Sequence, residues 1–245
     1  KALADSARRA TAEATEMRTQ FFAGANHDLR QPLQALGIYL QLLKGRLTGP
    51  DKEALEQIET CATAISTLVG QVLEVSRIES GQIAVTVERI HLTELFEDLA
   101  AEFSVLCENK GLAFRVVPLS VALDCDRTLL ERILRNLLTN AVRYTKTTVS
   151  LVACDIGQGR IQIAVTDDGP GIDPAEKGRI FEAFFRGKKA KGKTQGYGLG
   201  LSIVKGLASR LSIPLRVEST VGKGSAFILT FLADPVTQSV GKTPH

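Results

Sequence analysis

Leucines at 29, 33, 36, 40, 43 and 47 recur at alternating spacings of four and three, the stripe of a helix that packs in a bundle. Upstream, Leu3, Ala7, Ala10, Ala14, Met17 and Phe21 continue the seam with small and apolar residues. The pattern predicts one long helix over residues 1–47. Thr48, Gly49 and Pro50 read as a turn, after which Leu55, Ile58, Ala62, Ile65, Val69 and Val72 predict a second helix ending near Ser80 and Gly81. Two antiparallel helices bury little between them, so the hairpin is expected to pair with a second copy as a dimeric four-helix bundle.

After Gly81 the periodicity changes. Residues 83–92 alternate like a strand, 92–111 repeat like a helix stopped by Gly111, and 112–119 read as a strand. Asp126 is placed to cap a helix from Arg127 to about Tyr144. Strands are expected at 147–155 and 160–167, then glycine loops, a helix near 200–210, and strands at 214–220 and 225–233. That order predicts an α+β sandwich. The domain reading is a helical hairpin at 1–80, the α+β domain at 81–233, and a polar, proline-bearing tail or linker at 234–245.

With 44% hydrophobic residues the 245-residue chain can bury a core. The net charge of +3, from 30 basic and 27 acidic residues, is too even to argue for nucleic acid. Cys61, Cys107, Cys125 and Cys154 lie far apart with no CxxC pair, which predicts reduced thiols in a cytoplasmic setting and neither a disulfide nor a zinc framework. No apolar run approaches the roughly 18 residues of a membrane span, so no membrane contact is expected of this stretch. The sequence starts at Lys1 in mid-pattern, as expected of a piece of a longer protein.

Candidate chemistry begins inside the first stripe. His27 stands two positions from Leu29, about 200° around a helix, and is therefore expected to face solvent. Asp28 adjoins it, and Arg30 and Gln31 share its face. An acid beside an imidazole can hold its tautomer and accept its proton, which makes the other nitrogen a nucleophile. Pro32 lacks the amide that would bond the carbonyl of Asp28, so the helix is expected to bend there.

Gly187 to Thr194 spells GxxxxGK[ST], but the phosphate loop of that pattern needs a buried strand before it and a helix at its lysine. Here "IFEAFFR" precedes and "QGYGLG" follows. A lysine-rich lid carrying Lys188, Lys189, Lys191 and Lys193 is the better reading. Four other segments fit together. "NLLTNAVRYT" puts Asn136, Asn140, Arg143 and Tyr144 on one helix face. "DDGPGI" sets a carboxylate at a strand end before glycines that let a ligand approach the backbone. "GYGLGL" offers amides for phosphate oxygens at a helix start, and "GKGS" is a second tight turn.

These segments, in this order, resemble the catalytic core of two-component sensor histidine kinases, over about residues 15–233. "HDLRQPL" is similar to that family's H box, "NLLTNAVRYT" to its N box, "DDGPGI" and "GYGLGL" to its two glycine boxes, and "FEAFFR" to its F box. The resemblance implies a dimerisation and phosphoacceptor hairpin followed by a Bergerat-type ATP-binding domain. It also implies autophosphorylation of His27 from ATP and transfer to an aspartate of a response-regulator receiver domain. By the same carry-over Asn140 coordinates Mg²⁺, Asp167 bonds the adenine amine, and Arg143 and Tyr144 line the nucleotide. Gly169, Gly171, Gly196, Gly198 and Gly200 shape the walls and lid, and Asn136, Ile172, Phe184, Lys193 and Leu199 complete the nucleotide set. Gyrase-type and chaperone ATPases, which resemble the same nucleotide fold, carry a water-activating Glu where this chain has Asn136, and an amide cannot take a proton from water. Asp28 stands where many members have Glu, and Gln31 where many have Thr or Asn, so a weak phosphatase activity is expected of Gln31.

Overall fold

The structure, a computed structural model, describes residues 33–34, 36–40, 43–44, 50–187 and 197–232. The chain divides into two compact units, residues 1–83 and 84–245.

In the first unit the helix α1 (Pro50–Glu79) begins with Asp51 and Glu53 and ends with Arg77, charges that complement its dipole. Gly81, at φ 70°, closes it: its amide bonds the carbonyl of Ile78, and the amide of Gln82 bonds that of Arg77. Leu55 and Ala62 are buried against Leu40, which lies in the helical stretch 36–40. Ile58 and Ile65, members of the same predicted stripe, are exposed. Lys44 and Glu59 form an ion pair at 2.8 Å. The remainder of the predicted first helix, with His27, Asp28, Gln31 and Pro32, lies outside the described residues.

The second unit opens with β1 (Glu88–His91) and α2 (Leu92–Glu108), then β2 (Ala113–Val117), β3 (Ala122–Cys125) and α3 (Arg127–Tyr144). It continues with β4 (Thr148–Asp155), β5 (Arg160–Asp167), α4 (Gly200–Arg210), β6 (Leu215–Thr220) and β7 (Gly224–Leu232). Five strands form one sheet in the order β2-β4-β5-β7-β6, with β2 and β4 parallel and the other pairs antiparallel; β1 and β3 make a separate antiparallel ribbon. Val149, Leu151, Ile163, Val165 and Leu229 on the sheet are buried together with Leu95, Leu99, Leu130, Leu134, Leu138, Val204 and Leu207 on the helices. Helices on one face of a mixed sheet are the economical way to enclose so many branched side chains.

The strand predicted over 83–92 is shorter than its alternation suggests. Its partner β3 is four residues long and pairs only with Glu88–His91. The amide of Thr86, just upstream, is taken by the Asp126 carboxylate at 2.8 Å rather than by a strand. β3 itself has no counterpart in the expected elements, because four residues carry too short an alternation to register. Asp126 does cap α3: its other carboxylate oxygen accepts the amide of Leu129 at 2.9 Å.

Candidate functional site

α3 is where the site is assembled. Its apolar face (Leu130, Ile133, Leu134, Leu137, Leu138, Ala141) is buried, which leaves Asn136, Asn140, Arg143 and Tyr144 partly exposed on the other side. Two ion pairs steady the helix against α2: Arg127 with Asp98 at 2.6 Å, and Arg135 with Glu102. The side-chain amide of Asn136 donates to the carbonyl of Arg132 at 2.9 Å, and its oxygen lies toward Gly200. A side-chain carbon on Gly200, the first residue of α4, would sit 3.3 Å from Asn136 Oδ1 and 3.5 Å from Asn140 Nδ2. The second glycine segment therefore starts its helix directly beside the two asparagines.

The first glycine segment meets the other end of α3. A carbon on Gly169 would collide with the carbonyl of Tyr144 and lie 2.7 Å from Asp167 Oδ1. The Gly169 amide donates to that carboxylate oxygen at 2.8 Å. Asp167 ends β5 and is largely enclosed. Burial pushes its carboxyl above the usual carboxylate range, aided by the charge of Asp168, while amide bonds from Gly169 and Ser225 pull it back. Gly171, at φ 66°, lies against the carbonyl of Thr220, where any side chain would clash. The amide of Ile172 donates to Ser219 Oγ at 2.8 Å, and the amide of Gly222 to the carbonyl of Pro170 at 2.8 Å. The "GKGS" turn thus supports the first glycine loop from beneath.

Between the two glycine segments, residues 174–184 form turns. Arg179 pairs with Glu182 at 3.1 Å and lies 4.6 Å from the centre of the Phe185 ring. Phe184 adopts φ 63° and is 61% exposed, an unusual state for an aromatic residue. Gly198, at φ 76°, packs on this backbone, since a carbon there would be 2.6 Å from the Phe185 carbonyl. Leu199 is buried in the core. Lys193, Gly196 and the lysines at 188, 189 and 191 lie outside the described residues.

Asp168 was not among the residues singled out from the sequence. Its Oδ1 accepts the amides of Lys146 at 2.8 Å and Thr147 at 3.0 Å and the hydroxyl of Thr145, and its Oδ2 accepts the hydroxyl of Thr147. Partial burial alone would raise this carboxyl, but the hydrogen bonds outweigh it and hold it well below the usual range. The only signal in the sequence is an acid one residue after Asp167 together with two hydroxyls just past a helix end.

Residues 125–235 match the family described as histidine kinase-, DNA gyrase B- and HSP90-like ATPase, and residues 17–81 match the His kinase A (phospho-acceptor) domain. The sensor-like histidine kinase SenX3 of Mycobacterium tuberculosis is 32% identical over 88% of this chain and 54% of its own length. The autoinducer 2 sensor kinase/phosphatase LuxQ of Vibrio vulnificus is 29% identical over 97% of this chain and 29% of its own. Among solved structures, full-length ShkA in complex with AMPPNP aligns with a TM-score of 0.76 at 28% identity, over 88% of this chain and 46% of that one. The mycobacterial sensor histidine kinase MprB aligns at 0.51 and 27%, over 60% and 97%. The chain belongs to the two-component sensor histidine kinases and carries their phosphoacceptor region and ATP-binding domain. It spans about half the length of the mycobacterial relatives it matches.

Proposed function

We propose that the chain phosphorylates His27 from ATP and passes the phosphoryl group to an aspartate on a response-regulator receiver domain. The observation that carries this reading is the convergence of both glycine segments on one face of α3, at Asn136 and Asn140 through Gly200 and at Tyr144 through Gly169. A nucleotide on that face lies between amide side chains at one end and the Asp167 carboxylate at the other. Asp167 accepts the adenine amine, and its low exposure strengthens that bond by keeping water away. Arg143, Tyr144, Ile172 and Phe184 line the nucleotide, while amides around Gly198 and the start of α4 face its phosphates.

Asn140 offers a neutral oxygen of the kind Mg²⁺ takes alongside phosphate oxygens. Among the described residues no group of three or more His, Cys, Asp or Glu is placed to hold a metal ion; the cation would be held by the nucleotide phosphates with Asn140 as a protein ligand. When bound, it would neutralise the phosphate charge as the terminal bond breaks. The imidazole nitrogen of His27 attacks the γ-phosphorus, ADP departs with the bond electrons, and Asp28 accepts the proton from the other ring nitrogen. The phosphoryl group then moves to a receiver carboxylate, and Gln31 orients the water that later hydrolyses it, slowly. Ile58 and Ile65, exposed beside the buried Leu55 and Ala62, fit a homodimer built through the hairpin. The chain is read as the cytoplasmic part of a longer sensor; among the described residues no helix is long and apolar enough to cross a membrane.

Incubation with γ-labelled ATP should give a label stable to alkali and labile to acid. His27→Gln should abolish it while nucleotide binding persists. A label that survives this substitution would overturn the assignment.

A further inference from the structure

Where α3 ends, the chain must turn to enter β4, and the amides that follow the last helical bond need acceptors from elsewhere. The Thr145 amide still bonds the carbonyl of Ala141 at 2.8 Å, but those of Lys146 and Thr147 do not continue the helix. Asp168, 21 residues further along than Thr147, collects both of them at 2.8 and 3.0 Å. The Thr145 hydroxyl has one proton and two acceptors within reach, Asp168 and the carbonyl of Thr148. The Thr147 hydroxyl supplies a further donor. One carboxylate therefore satisfies the whole turn.

The backbone of Asp168 is equally confined. A carbon on Gly224, at φ 103°, would collide with the carbonyl of Asp167 and lie 2.8 Å from the Cα of Asp168. On the opposite side the carbonyl of Tyr144 rests on Gly169. The dipeptide Asp167–Asp168 is thus held between β7 and the end of α3. Its two side chains divide the work: one remains available at the candidate nucleotide site and the other ties down the turn.

We propose that Asp168 is a positioning residue for base recognition, which fixes the spacing between Tyr144 and Asp167 by strapping the Thr145–Thr147 turn to the first glycine loop. The proposal rests on the adenine role of Asp167 given above. A base that must meet both a ring and a carboxylate is selected by the separation of the two, and that separation is set by this strap. Loosening it costs both affinity and discrimination, whereas the phosphate end of the site, at Asn136, Asn140 and Gly200, is held by other contacts.

The test compares Asp168→Asn, Asp168→Ala and Thr147→Val in the full chain, with Asp167→Asn as a control. ATP and GTP affinities are measured by titration calorimetry, and labelling rates by γ-labelled ATP. With Asn, an oxygen in place of Oδ1 keeps three of the four donors and the Thr147 hydroxyl loses its acceptor, so Asp168→Asn should weaken ATP by a few-fold and Asp168→Ala by about tenfold, as expected for one and several lost hydrogen bonds. The preference for ATP over GTP should narrow in both, and KM for ATP should rise more than the maximal rate falls. Thr147→Val should follow Asp168→Asn. Unchanged ATP affinity in folded Asp168 variants overturns the proposal, as does weaker binding with the ATP-to-GTP ratio preserved, which would mark a scaffold role only. Unfolding of Asp168→Asn overturns it as well. If Asp167→Asn alters the ratio and the Asp168 variants do not, the strap fails and the adenine reading stands; if Asp167→Asn leaves it untouched, that reading fails.

Discussion

The two units treat their apolar stripes differently. In the C-terminal unit Leu92, Leu95, Phe96 and Leu99 of α2 and Leu130, Ile133 and Leu134 of α3 are wholly enclosed. In the N-terminal unit Leu55 and Ala62 are buried, while Ile58 and Ile65, three residues further along the same helix in each case, remain 51% exposed. A sheet covered by helices closes around its core within one chain, whereas a helical hairpin has a second apolar edge with nothing of its own to meet. The difference separates what a single chain encloses by itself, the core beneath the candidate nucleotide site, from what is proposed to need two copies, presentation of the phosphoacceptor.

The largest expected effect tests this directly. Leu134→Ala should cost about 3–5 kcal/mol in the unfolding of the C-terminal unit, as for other enclosed leucines, at any protein concentration. Ile65→Ala should cost less than about 1 kcal/mol in dilute solution and more as concentration rises, because association stabilises the folded form by mass action. Urea melts at two widely spaced concentrations distinguish the cases, and a concentration-independent cost at Ile65 breaks the comparison.

A smaller effect is expected at Asp126, the buried carboxylate that bonds the amides of both Leu129 and Thr86. Removing the cap and the second bond together in Asp126→Ala should lower stability by about 2 kcal/mol. Asp126→Asn retains one acceptor and should recover part of the loss in thermal melts. Equal losses in the two variants would show that hydrogen bonding is not the cause.

The smallest effect sharpens the contrast inside the C-terminal unit, between neighbouring acids shifted in opposite directions. The raised folded pKa of Asp167 means that its stabilising contribution is present below the ordinary carboxylate pKa of about 3.9 and is lost as pH rises through the folded value. At neutral pH its charge is therefore a cost. The depressed pKa of Asp168 contributes stability above about 3.9 that is lost only as pH falls through a much lower folded value. In nucleotide-free protein at neutral pH, Asp167→Asn should raise the melting temperature slightly while weakening ATP, and Asp168→Asn should lower it. A lower melting temperature for Asp167→Asn would contradict the burial of its charge.

Local pattern was enough for the elements whose signals lie within a few residues. The Asp126 cap, the helix it starts and the face carrying Asn136, Asn140, Arg143 and Tyr144 follow from spacing alone, because a helix fixes neighbours by its 3.6-residue period. The strands at 148–155 and 160–167 follow from alternation and β-branched residues. The glycine segments announce a close approach of backbone to something, since Gly is the residue that tolerates it.

Which surfaces approach, and which acid does what, was decided by pairing across long sequence separations. β3 exists because β1 supplies its partner, and the strand order β2-β4-β5-β7-β6 puts Asp167 opposite Ser225 and Val149. Asp167 and Asp168 are identical and adjacent in the sequence. Alternation along a strand, with β7 on one side and the end of α3 on the other, sends one inward and the other to the Thr145–Thr147 turn. Hydrogen-bond acceptors are indifferent to sequence distance, so a carboxylate can satisfy amides 21 residues away, and no local periodicity records that it does.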